Sequence, residues 1–270
     1  MECSFQCQLH AMDELTLIHW VILFAGALIM GLSKGGIPGA GNLTVALYAL
    51  VLEDALGPAG VAISVGLLLP VLISADLAST LVYRRYVNWV YVRRLLPFFA
   101  IGVIAGWAAF EVFQDLERAR TLKILIGSIL LGMTALRMIS EVKNLGAKIS
   151  SSKFSSLLAP FFGLLGGMAT MLANAAGPIA QFYLLAMKLP KYAFIGTSAW
   201  LFLIVNVAKV PFMYELGILN LDNLGIAIWL FFPAVFGAVI APRIVKFIRQ
   251  DWFERMIWFF IVLAGLRMIY

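Results

Sequence analysis

GLSKGGIPGAGN, from Gly31 to Asn42, interrupts an apolar stretch that would otherwise read as continuous membrane helix. Lipid offers the backbone no hydrogen-bond partner, so every N–H and C=O in the hydrocarbon layer must be satisfied inside the protein. Glycines and a proline at that depth therefore mean a buried, broken helix. GLLGGMATMLANAAGP, from Gly163 to Pro178, places a second break in the other half of the chain. Interruptions in matching places are the sequence feature that points to a transporter's binding site.

The rest of the chain fits that reading. Of its 270 residues 63% are hydrophobic and 13% charged, and the mean hydropathy is +0.97. Soluble domains carry about 25% charge. Long apolar runs, rather than weakly alternating stretches of about ten residues, exclude a membrane β-barrel. The fold class is therefore an all-α polytopic membrane protein, with the lipid bilayer as its surroundings. The net charge of +6 does not imply nucleic acid, because the basic residues cluster between hydrophobic segments, as the positive-inside rule requires. Glu2, Asp13 and Glu14 speak against a basic, cleavable signal at the N-terminus. Cys3 and Cys7 are the only cysteines, and a C-x3-C pair alone cannot complete a metal site. They read as a local disulfide or two idle thiols, so no metal and no other cofactor is expected. His10 and His19 are isolated and receive no chemical role; His19, beside Trp20, reads as a membrane-interface residue.

About ten hydrophobic segments are predicted. They are Leu15–Leu32, Ile37–Leu52, Gly60–Val82, Leu95–Phe113 and Thr121–Ile139, then Leu157–Leu172, Ala175–Met187, Ala193–Tyr214, Leu224–Ile240 and Phe253–Ile269. Arg84, Arg85, Arg93 and Arg94 follow the third segment, Lys143, Lys148 and Lys153 the fifth, Lys188 and Lys191 the seventh, and Arg243, Lys246 and Arg249 the ninth. The alternate loops are acidic or mixed. Basic loops are cytoplasmic by the positive-inside rule, which puts both termini outside. The Ser- and Lys-rich stretch 144–156 separates a first repeat, 1–143, from a second, 157–270. Gly31 aligns with Gly163 and Asn42 with Asn174, and LRMI recurs at 136–139 and 266–269. Five segments is an odd number, so the second repeat must enter the membrane inverted. The segments flanking each break run to about 13–18 residues. A 14-residue helix covers only about 21 Å of a core about 30 Å thick. Two re-entrant hairpins, entering from opposite faces and meeting tip to tip, are the expected consequence.

Such tips favour an anion. A helix N-terminus carries about +0.5 elementary charge and free N–H groups, and glycines let backbone approach a ligand closely. The candidate substrate-binding residues in the first break are Lys34, Gly35, Gly36, Gly39, Gly41 and Asn42. In the second they are Gly166, Gly167 and Asn174. The two asparagines are expected to cap the restarting helices. Tight helix packing is the competing reading of the glycines, and snorkelling to the cytoplasmic surface that of Lys34. Asp76 lies inside the third segment; Asn206, its counterpart at an offset of 130, and Lys209 lie inside the eighth. An intramembrane ionisable residue costs at least about 2.5–3.5 kcal/mol and faces a cavity or a partner. Asp76 and Lys209 are either a buried pair holding the halves in register, or a coupling-proton carrier and an anion ligand. Gln181, Thr197 and Ser198 are weaker lining candidates.

GLSKGGIPGAGN followed by LTVALYAL, with GLLGGM…N…GP as its counterpart, resembles the paired signature of the TauE/SafE sulfite-exporter family, also called the toluene-sulfonate uptake permease family. The resemblance covers nearly the whole chain. It implies a prokaryotic inner-membrane carrier of sulfur-containing anions: sulfite, thiosulfate or small organosulfonates. Gly166 stands where the first motif has Lys34, which makes Lys209 the candidate for a second positive charge. No G-x-x-x-x-G-K-[ST] motif is present, so ATP is not expected to drive transport directly; coupling to a proton or another ion would rest on Asp76. A homodimer is compatible with the sequence. The alternatives are an intramembrane hydrolase or phosphatase acting on lipids and a non-transporting assembly factor. The first lacks a clustered catalytic set near the midplane, so the chain is not read as an enzyme.

Overall fold

The computed structural model describes residues 15–37, 40–57, 59–110, 152–219 and 221–269, with 128 and 131 alone in the intervening stretch. The fifth predicted segment apart from those two residues, the first LRMI, Cys3, Cys7, His10, Pro38 and Gly39 lie outside the described residues. The described elements are all helical: α1 (Leu17–Lys34), α2 (Ala40–Leu56), α3 (Ala59–Tyr83), α4 (Trp89–Ala108), α5 (Ser152–Ala173), α6 (Gly177–Ala186), α7 (Lys191–Glu215), α8 (Leu221–Val245) and α9 (Gln250–Ile269). Among the described residues, five helical stretches are long and apolar enough to cross a membrane: Leu17–Lys34, Ile63–Tyr83, Trp89–Ala108, Lys191–Glu215 and Leu224–Val245. The helix bounds follow the predicted segments closely. The largest departures are α4, which begins at Trp89, α5, which reaches back to Ser152 inside the stretch expected to be linker, and α8, which runs on to Val245. At 22 residues, α5 extends for about 33 Å, so it is no short stub. By contrast α6, with 10 residues, reaches only about 15 Å.

The helices gather into two compact units. One comprises residues 1–82 and 206–247, the other 83–205 and 248–270. Each draws on both sequence halves.

In the first unit α1 and α2 form an antiparallel hairpin, and α1 packs on α8. Two side chains one turn apart on α2 tie the hairpin: Thr44 Oγ1 donates to Gly26 O at 3.0 Å and Tyr48 Oη to Leu23 O at 3.0 Å. Gly26 is the space that admits them, since a Cβ there would lie 2.7 Å from the Tyr48 ring. Tyr48→Phe should weaken the fold by about 0.6–1.7 kcal/mol, the range for hydrogen bonds between membrane helices. Reversible SDS unfolding would measure it; an unchanged midpoint would mean the hydroxyl contributes nothing. At the far end of the hairpin His19 Nδ1 accepts from the Thr16 N–H at 3.2 Å. The ring proton therefore sits on Nε2, 3.1 Å from Asp54 Oδ2. His19 thus caps α1 and joins its start to the end of α2, a role the sequence reading did not assign.

The α8 helix shows why periodic polarity is not the organising signal here. Between Ala234 and Ala241, beyond the buried Ile226 and Leu230, its buried face is small, with Ala234, Ala238 and Ala241, while Ile228, Trp229, Phe232 and Phe236 are exposed. Large apolar groups outside and small ones inside is the membrane arrangement, where close backbone approach drives association.

In the second unit α5 packs on α4 and α6, and α6 on α9. Phe162 of α5 stacks on Phe182 of α6 at 5.3 Å, and Phe182 meets Trp258 of α9 edge-on at 5.3 Å. The Thr197 hydroxyl accepts from the Asn88 N–H at 2.9 Å, and the Asn88 side chain caps α4. Thr197 is therefore a structural partner of the α4 start.

Candidate functional site

Each break has a local cause. Ile37 N–H reaches Leu32 O at 3.0 Å and Gly36 N–H reaches Ser33 O at 3.1 Å. This is the Schellman pattern, and Gly36 holds the positive φ of 115° it needs. Lys34 is thereby the last residue of α1, where a cation complements the helix dipole. The second break is built differently. α5 runs unbroken through Gly163, Gly166 and Gly167 and stops at Asn174, whose φ is 51°. Asn174 N–H returns to Thr170 O and Ala175 N–H to Ala169 O, both at 3.1 Å. The helix restarts at Gly177 with Pro178 in its first turn, where a missing N–H costs nothing.

Several expectations need correction. The glycines of the second motif do not break the helix; they let α4 approach α5. A Cβ on Gly163 would strike Phe98, one on Gly166 the Phe99 ring, and one on Gly167 the Phe99 carbonyl and Gly102. Gly31 and Gly35 do the same for α1, against Ala234, Ala238 and Ala241 of α8. Both motifs are spaced G-x-x-x-G, the small-residue contact of membrane helices. Gly41 lies in α2, where a Cβ would stand 3.0 Å from Ser33 Oγ. Neither asparagine caps a restarting helix. Asn174 ends α5, and the residue preceding α6, Ala176, makes no side-chain cap. Asn42 lies inside α2, two residues past its start; its side chain is outside the described residues. Gln181 is half-buried on α6, and Ser198 Oγ on α7 is buried with no hydrogen-bond partner.

The charged candidates do converge, in the first unit. Lys34 Nζ stands 2.9 Å from Asp76 Oδ1 and donates to Oδ2 at 3.2 Å. Asn206 Nδ2 donates to the same Oδ2 at 2.7 Å. Lys209, one turn beyond Asn206 on the same face of α7, is fully buried and within electrostatic range of both Lys34 and Asp76. Asp76 has no exposed surface, whereas the Lys34 side chain keeps 16%. The open end of the cluster is therefore cationic. Among the described residues, Asp76 is the one buried carboxylate. Two buried oxygens here have no hydrogen-bond partner, Asn206 Oδ1 and, one turn beyond Asp76 on α3, Ser79 Oγ, while Asp76 Oδ1 is ion-paired to Lys34.

Snorkelling does not describe Lys34: its ammonium turns inward to Asp76. The sequence reading placed both residues but did not pair them, because no helical spacing relates positions 42 apart. Ser79 was missed altogether, since a lone serine in an apolar helix carries no signal. Among the described residues no group of His, Cys, Asp and Glu could hold a metal. The arrangement can hold an anion at a partly exposed lysine side chain backed by a buried charge cluster.

A family model described as Sulfite exporter TauE/SafE matches residues 23–268. No curated protein and no solved structure matches the chain.

Proposed function

Because the chain belongs to the Sulfite exporter TauE/SafE family and is thus a membrane transporter rather than an enzyme, we propose that it moves sulfur-containing anions by alternating access. The substrates are sulfite, thiosulfate or small organosulfonates. The observation that carries this reading is the cluster of Lys34, Lys209, Asp76 and Asn206, in which the charged side chain with exposed surface is that of Lys34. A sulfonate or sulfite oxygen suits that group, because charge-assisted hydrogen bonds to an ammonium are about twice as strong as neutral ones.

An inverted repeat is part of the proposal. The first and ninth segments pack through glycine in one unit, as do the sixth and fourth in the other. The sixth segment is the counterpart of the first, and the fourth of the ninth. Asp76 and Asn206, counterparts at an offset of 130, are hydrogen-bonded. These pairings support repeats at 1–143 and 157–270. The loop charges support extracytoplasmic termini, and the family membership supports a prokaryotic inner membrane.

Counterflow tests the function. Proteoliposomes loaded with unlabelled sulfite, thiosulfate, taurine or sulfoacetate should accumulate the labelled form of at least one of them. Phosphate and acetate should not drive uptake. Absence of counterflow for every sulfur anion would refute the reading.

A further inference from the structure

We propose that Asp76 is a proton-binding site filled when an anion takes Lys34, so that one proton accompanies each monoanion. The inference rests on the anion reading above and deepens it by naming the co-substrate.

Two independent observations carry it. The first is electrostatic. Lys34 contacts both carboxylate oxygens of Asp76, and it is also the cluster member with exposed surface. An arriving anion therefore competes with Asp76 for the same ammonium. Asp76 is wholly buried, and a buried carboxylate deprived of its counter-cation is strongly disfavoured. The described groups that act on Asp76 are Lys34 from α1 and Asn206 and Lys209 from α7. Asn206 is neutral, and Lys209 acts on Lys34 as well as on Asp76, so neither takes over the Lys34 contact to both oxygens. A proton removes the uncompensated charge.

The second observation is hydrogen-bond accounting. Asn206 Oδ1 and Ser79 Oγ are buried oxygens without a partner, and Asp76 Oδ1 has the Lys34 ammonium at 2.9 Å. Buried oxygens without a partner are rare in folded proteins and mark a function where they occur. When Lys34 turns to an anion, Asp76 Oδ1 joins Asn206 Oδ1 as a buried acceptor without a donor. Protonating Asp76 at Oδ1 converts the acceptor that Lys34 has left into a donor. The step balances simply. The Lys34 N–H bonds to the carboxylate break and re-form to an anion oxygen. A solvent proton adds to Oδ1, and no electron moves.

The test uses isethionate, a sulfonate that stays monoanionic across the working pH range. Purified wild-type protein is titrated in buffers of different ionisation enthalpy, which counts protons taken up with the ligand. Uptake approaching about one proton per isethionate is expected for wild type, and none per isethionate bound, at whatever affinity, for Asp76→Asn. Binding by wild type without proton uptake would overturn the proposal. Failure to bind isethionate would count against the sulfonate reading and leaves the decision to infrared spectroscopy of ligand-free protein. There, Lys34→Ala should show a protonated carboxyl C=O band that is missing from wild type and from Lys34→Ala/Asp76→Asn. Lys34→Gln serves if the alanine variant does not fold. No such band in a folded Lys34 variant would overturn the proposal whatever the substrate.

Discussion

Lys34→Met should destabilise the folded chain by about 3–5 kcal/mol, the usual consequence of removing one partner from a buried ion pair. The carboxylate that remains has no exposed surface, so it cannot recover its hydration by a small rearrangement. Lys34→Met/Asp76→Leu should regain most of that loss, because replacing both members by apolar groups removes the uncompensated charge. Reversible SDS unfolding of the three variants and wild type completes the cycle. Lowering the pH should narrow the deficit of the single variant, since a proton neutralises Asp76, and should leave the double variant unaffected. Equal stability of single variant and wild type at neutral pH would mean that Lys34 and Asp76 are not coupled in the membrane. Anion binding should be lost in both variants, which separates the ligand role of Lys34 from its structural one.

The second large effect concerns glycine. Gly31→Ala should cost about 1–3 kcal/mol, the range for overpacking a filled contact. Gly31→Leu should prevent folded protein from accumulating. A Cβ at Gly31 would run into the backbone carbonyl of Ala234, and a carbonyl inside a helix cannot turn aside as a flexible side chain does. The whole of α8 would have to move. Gly225 is the control: nothing lies within 4 Å of a Cβ there. Gly225→Ala should be neutral or stabilising by up to about 1 kcal/mol, through helix propensity alone. If both alanine variants unfold alike, close packing is not what Gly31 provides.

These two predictions mark where the sequence was readable and where it was not. Helix existence was legible because every membrane-spanning backbone must satisfy itself, and long apolar runs leave few alternatives. The first break was legible from Gly36, which holds a backbone conformation that L side chains rarely adopt. The second was legible only to within its motif. Gly163, Gly166 and Gly167 look like helix breakers to a single strand of sequence, but a neighbouring helix turns them into a contact surface. Propensity speaks of an isolated chain, and in lipid the loss is offset by close packing. Asn174, which ends α5, was assigned to the next helix for the same reason: a cap at the end of one helix and one at the start of another look alike when the helix bounds differ by a few residues.

The sequence by itself determined that this chain lives in a membrane, where its described helices run and that Asp76 and Lys209 lie inside them, because lipid penalises exposed backbone and stray charge steeply enough to leave a mark on composition. Which buried charges meet was decided only by the tertiary structure. Lys34, Asp76 and Asn206 sit on three different helices, and their contacts at 2.7–3.2 Å depend on how α1, α3 and α7 pack. Charge identity is local to a residue, but its partner is set by packing between helices, and that packing is written in the shape of neighbours rather than in any spacing along the chain.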